Sequence, residues 1–151
     1  MRFAATTLAV SALTLGLCCA HAFAIDERID PQAMAALMAK ADQAQPKEQC
    51  FLYAELVHQM TELAGQQYSA GDGDHASETL RLVQKYAEKI HMGVAQDGKK
   101  LKNAEELMRH TSFRLTGILN AASYEDRQAL QATLKQLEQV QTELMMQVFK
   151  K

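Results

Sequence analysis

Proline, glycine and tryptophan are scarce in these 151 residues, at two, seven and none. A β-sandwich needs a turn signal roughly every 8–12 residues, and so few turn formers exclude one. Cysteine is nearly as scarce, with three. Cys18 and Cys19 fall in an N-terminal segment that reads as removable, which leaves Cys50 alone and excludes an internal disulfide. A leftover cysteine in an oxidising compartment is a buried thiol or an intermolecular bridge. Burial is the expectation, because free cysteine ranks among the most buried residue types. A reactive thiol needs a base and an electropositive setting, whereas Glu48 and Glu55 stand nearby. No Cys-x-x-Cys-His run occurs, so covalently attached haem is excluded.

Charge of one sign is missing too. The chain carries 16 basic and 18 acidic residues, a formal charge of −2, and loss of Arg2 moves it further negative. Nucleic-acid binding needs a phosphate-neutralising basic face, and Lys99, Lys100 and Lys102 are too few to make one. Past the N-terminal segment no apolar run is long enough to span a bilayer.

What is present begins with that segment. Arg2 supplies a positive start, Phe3 to Ala20 runs without charge, and two small-residue sites follow, Ala20-His21-Ala22 and Ala22-Phe23-Ala24. This order is that of a secretory signal peptide. The expected organisation is a signal at 1–24, cleaved after Ala22 or, preferably, Ala24, then one helical domain over 25–151, placed in the periplasm or secreted.

The remainder reads as helix. Asp30 caps a short first helix with Pro31 at its first position and Ile29 stapled onto Met34. It ends before Pro46, which disfavours helical geometry at Gln45. A second helix runs from about Pro46 to Ser69, with Tyr53, Leu56, Val57, Met60, Leu63, Ala64 and Gln67 on one side. Ala70-Gly71-Asp72-Gly73 breaks it, and Asp74 is the expected cap of the next. Ala76, Leu80, Val83, Ala87, Ile90 and Val94 then alternate spacings of four and three. The rhythm resumes as Leu101, Ala104, Met108, Thr111, Leu115, Ile118 and Ala122. A last helix, capped by Ser123, carries Leu130, Leu134, Leu137, Gln141, Leu144 and Val148.

Short connections make sequential neighbours antiparallel. The expected fold is therefore all-α, an antiparallel up-and-down bundle of three to four long helices plus the short N-terminal one. Asp97-Gly98 reads as a break. Yet the seam rhythm crosses it unbroken, and lysines are badly placed at a new helix N-terminus, so a single helix over 74–122 is the alternative. Gly65-x-x-Tyr68-x-x-Gly71 followed by Ala76 and Leu80 resembles one helical hairpin of the tetratricopeptide kind. The resemblance implies an αα-hairpin; no second copy follows, and such stacks need three.

Three constellations could carry function. Glu55-x-x-His58 and Glu88-x-x-His91 match the Glu-x-x-His pairs of di-metal bundles, with Glu106 and Glu138 at similar heights. At about 100° per residue, however, Glu55, His58, Glu88 and Glu106 face away from their apolar stripes, as buried ligands do not. Non-covalent haem would need an inward histidine facing a methionine; His110 lies at a stripe edge and Met60 and Met108 lie inward as core filler. Asp72-Gly73-Asp74-His75 lacks the remaining ligands of a calcium loop, and reads as a turn plus cap. Nothing supports acid–base or nucleophilic chemistry, so neither an enzyme nor a cofactor is expected. The third constellation is apolar: Phe51, Phe113 and Met146 fall on outward helix faces. The expectation is a protein-interaction or assembly module, acting on a protein partner or on itself as a homodimer. A metal- or haem-binding bundle using Glu55, His58, Glu88 and His91 is the alternative.

Overall fold

A computed structural model describes residues 29–94 and 100–150. The expected signal segment with Ala22 and Ala24, and the Asp97-Gly98 junction, lie outside the described residues. Among the described residues five helices are present, α1 (Pro31–Gln43), α2 (Pro46–Ser69), α3 (Gly73–Val94), α4 (Leu101–Ala121) and α5 (Arg127–Phe149). Among the described residues there is no strand, and no helix is long and apolar enough to cross a membrane.

Local chemistry sets most of the boundaries. The Asp30 carboxylate accepts the Gln32 N–H at 3.0 Å, and Pro31 opens α1. Pro46 likewise opens α2. That helix closes in a Schellman motif, with Gly71 N–H donating to Tyr68 O and Asp72 N–H to Gln67 O. Such a turn needs a left-handed residue, and Gly71 supplies it at φ +79°. The cap of α3 is Asp72 and not Asp74: the Asp72 carboxylate accepts the His75 N–H at 3.3 Å. Ser123 and Asp126 do exchange hydrogen bonds, at 2.6 and 3.3 Å. They hold a turn that precedes α5, so that helix starts later than Ser123.

The long helices form two antiparallel hairpins, α2–α3 and α4–α5, laid side by side. Within the first, Thr79 bonds Gln67 and Tyr86 stacks on Tyr53, so the two strokes run in opposite directions. Between hairpins the pairing is parallel. His58 and Glu62 of α2 meet Thr111 and Arg114 of α4, while Gln84 and His91 of α3 meet Thr133 and Glu143 of α5. The cross-hairpin hydrogen bonds join residues 49 to 53 positions apart, so the second hairpin stacks on the first nearly in register. The helices alternate in direction as expected, but the consecutive pair α3 and α4 lies across the diagonal.

This geometry excludes a single helix over 74–122. Tyr86 stacks on Tyr53, and His58, little more than one turn further along α2, bonds Thr111 at 3.0 Å. In a continuous helix Thr111 would lie about 37 Å from Tyr86.

The core runs through all the helices. Ala76, Leu80, Val83, Ala87 and Ile90 are buried as their rhythm implies, as are Ala104, Met108, Leu115 and Ile118. On α5 the buried stripe is Leu130, Thr133, Leu137, Val140 and Leu144, and it leaves Leu134 and Gln141 on its shoulder. Three threonines enter the core by folding their hydroxyls onto the preceding turn: Thr61 to Val57 O, Thr111 to Leu107 O and Thr133 to Ala129 O. Gly65 lets α2 and α4 approach, since a Cβ there would meet Ile118 Cδ1 at 2.9 Å.

α1 packs on α2 and is tied down at its C-terminal end. Gln49 donates to Ala41 O, and the Tyr53 hydroxyl donates to Asp42 at 3.0 Å. Lys89 reaches across from α3 to the same carboxylate at 2.6 Å, with its ammonium over the Tyr53 and Tyr86 rings. On α2, Gln49 and Tyr53 lie on the flank away from His58, Glu62 and Gly65, by helical spacing. The layers are therefore α1, then α2–α3, then α4–α5.

Candidate functional site

The outward placement expected for Phe51 is corrected. It is half-buried and packed against the core, with the Lys100 ammonium 4.8 Å from its ring centre. The same contact answers the objection to lysines at this helix start. Lys100 is the N-cap of α4, and its charge is drawn over an aromatic face rather than left against the dipole.

His58 is also corrected. It sits half-buried between α2 and α4, not on a solvated face. Thr111 gives its own proton to Leu107 O, so its oxygen accepts from His58 Nδ1–H at 3.0 Å. That bond places the proton of the neutral ring on Nδ1. Burial lowers the pKa of His58, against the pull of Glu62 and Glu55.

The four residues of the metal alternative are not brought together. His58 bonds to Thr111 on the α2–α4 side, whereas His91 Nδ1 pairs with Glu143 on the α3–α5 side. Glu88 and His91 line a shallow hollow with Gln136, Gln139 and Val140. Among the described residues no three His, Cys, Asp or Glu side chains converge as a metal site would require. His110 is exposed, while Met60 and Met108 are core residues, so the histidine does not face either methionine. Cys50 is buried, and desolvation pushes its thiol up to about 11; a protonated thiol of this kind is a poor nucleophile.

A cleft of about 390 Å³ lies where the two hairpin turns meet, lined by Gly65, Tyr68, Arg114, Gly117, Ser123 and Asp126 among others. Glycine and alanine walls open it, and sequence spacing gave no sign of it because the two turns lie far apart in the chain. Arg114 at its edge is held by Glu62, Nε to Oε2 at 2.9 Å.

The outer face of the α4–α5 hairpin has a different character. Phe113 is 82% exposed, Phe149 78% and Tyr124 92%, and Met145 and Met146 on α5 are exposed too. Among the described residues only Leu82 is a large exposed apolar side chain elsewhere. Helical spacing shows which of these share a surface. The α2-facing flank of α4 carries Thr111 and Arg114, and Glu105, Arg109, Phe113, Thr116 and Asn120 recur at spacings of four and three on the other side. On α5, Thr133, Gln136 and Glu143 face α3, and Leu134, Glu138, Gln141, Met145 and Phe149 recur on the opposite flank. Both stripes open on the side of the hairpin away from α2–α3. Phe113 and Met146 are thus exposed as expected from sequence. Phe149, Met145 and Tyr124 were missed, although Phe149 follows Met145 by four residues, a spacing that signals a shared face. No family model, curated protein or solved structure matches this chain.

Proposed function

We propose that this is an exported, non-catalytic helical module of the cell envelope whose working surface is the outer face of α4–α5. The carrying observation is asymmetry. α1 lies on one side of the two-hairpin stack, whereas the opposite side presents Phe113, Met145 and Phe149. Single exposed apolar residues are ordinary, but a large group on one hairpin marks an interaction surface. The interaction role of Phe113 rests on this grouping, Met146 is exposed next to Met145 at its margin, and Phe51 has no part in it, because its ring is half-buried against the core under Lys100. The N-terminal charge–apolar–small pattern supports export and cleavage after Ala24.

Chemical cross-linking in intact cells of the native host tests the reading. Wild-type protein is expected to give a discrete cross-linked species, lost in Phe113→Asp and in Phe149→Asp but kept in Leu82→Asp. An unchanged cross-linking pattern in both phenylalanine variants would overturn it. The mass of the purified protein checks the compartment, with Ile25 the expected first residue.

A further inference from the structure

We infer that the occupant of the α4–α5 face is a second copy of this chain, docked about a two-fold axis. The inference rests on the reading of that face as the working surface, and adds the partner. Helical hairpins that stack side by side bury one another's faces, and the outermost face of such a stack is either polar or covered; large exposed aromatics such as Phe113 and Phe149 favour a cover. On the α2 side that cover is α1, held by Gln49, Tyr53 and Lys89. A two-fold pairing through α4–α5 supplies the other cover. It produces four hairpin layers with an α1 at each outer end, so the assembly closes as a dimer. Head-to-tail stacking of α4–α5 onto another copy's α1 side would leave both faces open and run on into a fibre.

Area and charge both suit a second copy. Helices of 21 and 23 residues give a face about 32 Å long and roughly 20 Å wide. That is on the order of 600 Å² from each partner, approaching the roughly 800 Å² of a standard stable interface. Charges on the face are mixed, with Lys102 and Arg109 against Glu105, Glu138 and the Glu106 that pairs with Arg109, so opposite charges can meet across a two-fold axis. Phe113 lies near mid-length of α4 and Phe149 at the end of α5, and both are largely exposed, as aromatic anchors of an interface are before it forms.

Sedimentation velocity on the protein purified from its host, across a concentration series, tests the inference. The expected result is twice the monomer mass for wild type and for Leu82→Asp, and a single monomer mass for Phe113→Asp and Phe149→Asp. Circular dichroism confirms that both variants keep wild-type helicity, as substitutions at exposed positions should. A wild-type protein that stays monomeric overturns the second copy. If the cellular cross-links are still lost in Phe113→Asp, the face then serves a different protein; if they are unchanged, the reading of the face falls as well. A dimer that survives both phenylalanine substitutions also overturns the inference, because its interface lies elsewhere.

Discussion

Glycine has three different meanings in this chain, and substitution by alanine separates them. Gly71 occupies the left-handed position of a Schellman turn at φ +79°, where a Cβ is strained. Gly71→Ala should lower stability by about 1 kcal/mol in urea titration. Gly117 lies within α4 with open space around its missing Cβ, so Gly117→Ala should raise stability by about 0.5–1 kcal/mol through helix propensity alone. Gly65 is set by packing, since its Cβ would press on Ile118, and the propensity gain there is offset. Hydroxyls divide in a similar way. Thr111 is bonded at both ends, whereas Ser112 is buried with no partner for its Oγ. Ser112→Ala should therefore be neutral or stabilising by up to about 1 kcal/mol. Thr111→Val should destabilise, by leaving His58 Nδ1–H without its acceptor.

His58 adds a pH dependence to that residue-scale picture. Its pKa is lowered in the fold by burial, so the native state favours the neutral ring. The stabilisation is present above the unfolded value near 6.5 and is lost as pH falls through the lower folded value. Thermal midpoints should drop on acidification from pH 7 towards 5, and His58→Gln should remove part of that slope. An identical slope in the variant would place the titration elsewhere. Neither the histidine's burial nor the cover over Phe51 was legible in the sequence. One helix's periodicity locates its own apolar stripe, but it carries no information on a second neighbour approaching from the flank.

At the scale of elements, boundaries were readable where covalent structure dictates them. Pro31 and Pro46 open α1 and α2, and Gly71 closes α2, because imino and Cβ-free geometry acts locally. The break between α3 and α4 was ambiguous for the converse reason. The rhythm from Ala76 to Ala122 satisfies one long helix and two short ones equally, and a contact between α2 and α4 decides between them. The attachment of α1 depends on Asp42, whose pKa is lowered by its hydrogen bond to Lys89 and then by that to Tyr53. Lys89 is raised in return, chiefly by Asp42. The depressed carboxylate contributes above its unfolded value near 3.9 and loses that contribution as pH falls through the folded value; the raised lysine contributes below its unfolded value near 10.4 and loses it as pH rises through the folded one. Asp42→Asn should thus increase hydrogen exchange in α1 at neutral pH. Exchange in α4 and α5 should not change, and equal acceleration everywhere would mean that α1 is not a separately attached element.

For the molecule as a whole, the question is whether two stacked hairpins unfold as one. Each hairpin has its own turn and tight antiparallel pairing, which favours independent units. Against that, α2 packs on α1, α3 and α4 at once, and the polar ties between hairpins repeat along their full length, from His91–Glu143 at one end to Glu62–Arg114 near the other. Leu115 on α4 and Leu80 on α3 are both among the fully buried side chains, so truncation of either to alanine should cost about 2–5 kcal/mol. Tyrosine signals discriminate the two cases, because the stacked pair Tyr53–Tyr86 lies wholly within the first hairpin. With a shared core, Leu115→Ala shifts the near-ultraviolet tyrosine transition as far as it shifts the far-ultraviolet helical one, and the two curves stay superimposed. With separable hairpins, the helical signal of Leu115→Ala splits in two while the tyrosine midpoint stays at the wild-type value. The continuity of the buried cluster from Met34 on α1 to Leu144 on α5 leads us to expect superposition. Phe113, outside that cluster, should then be replaceable by aspartate without moving either curve for the isolated protomer.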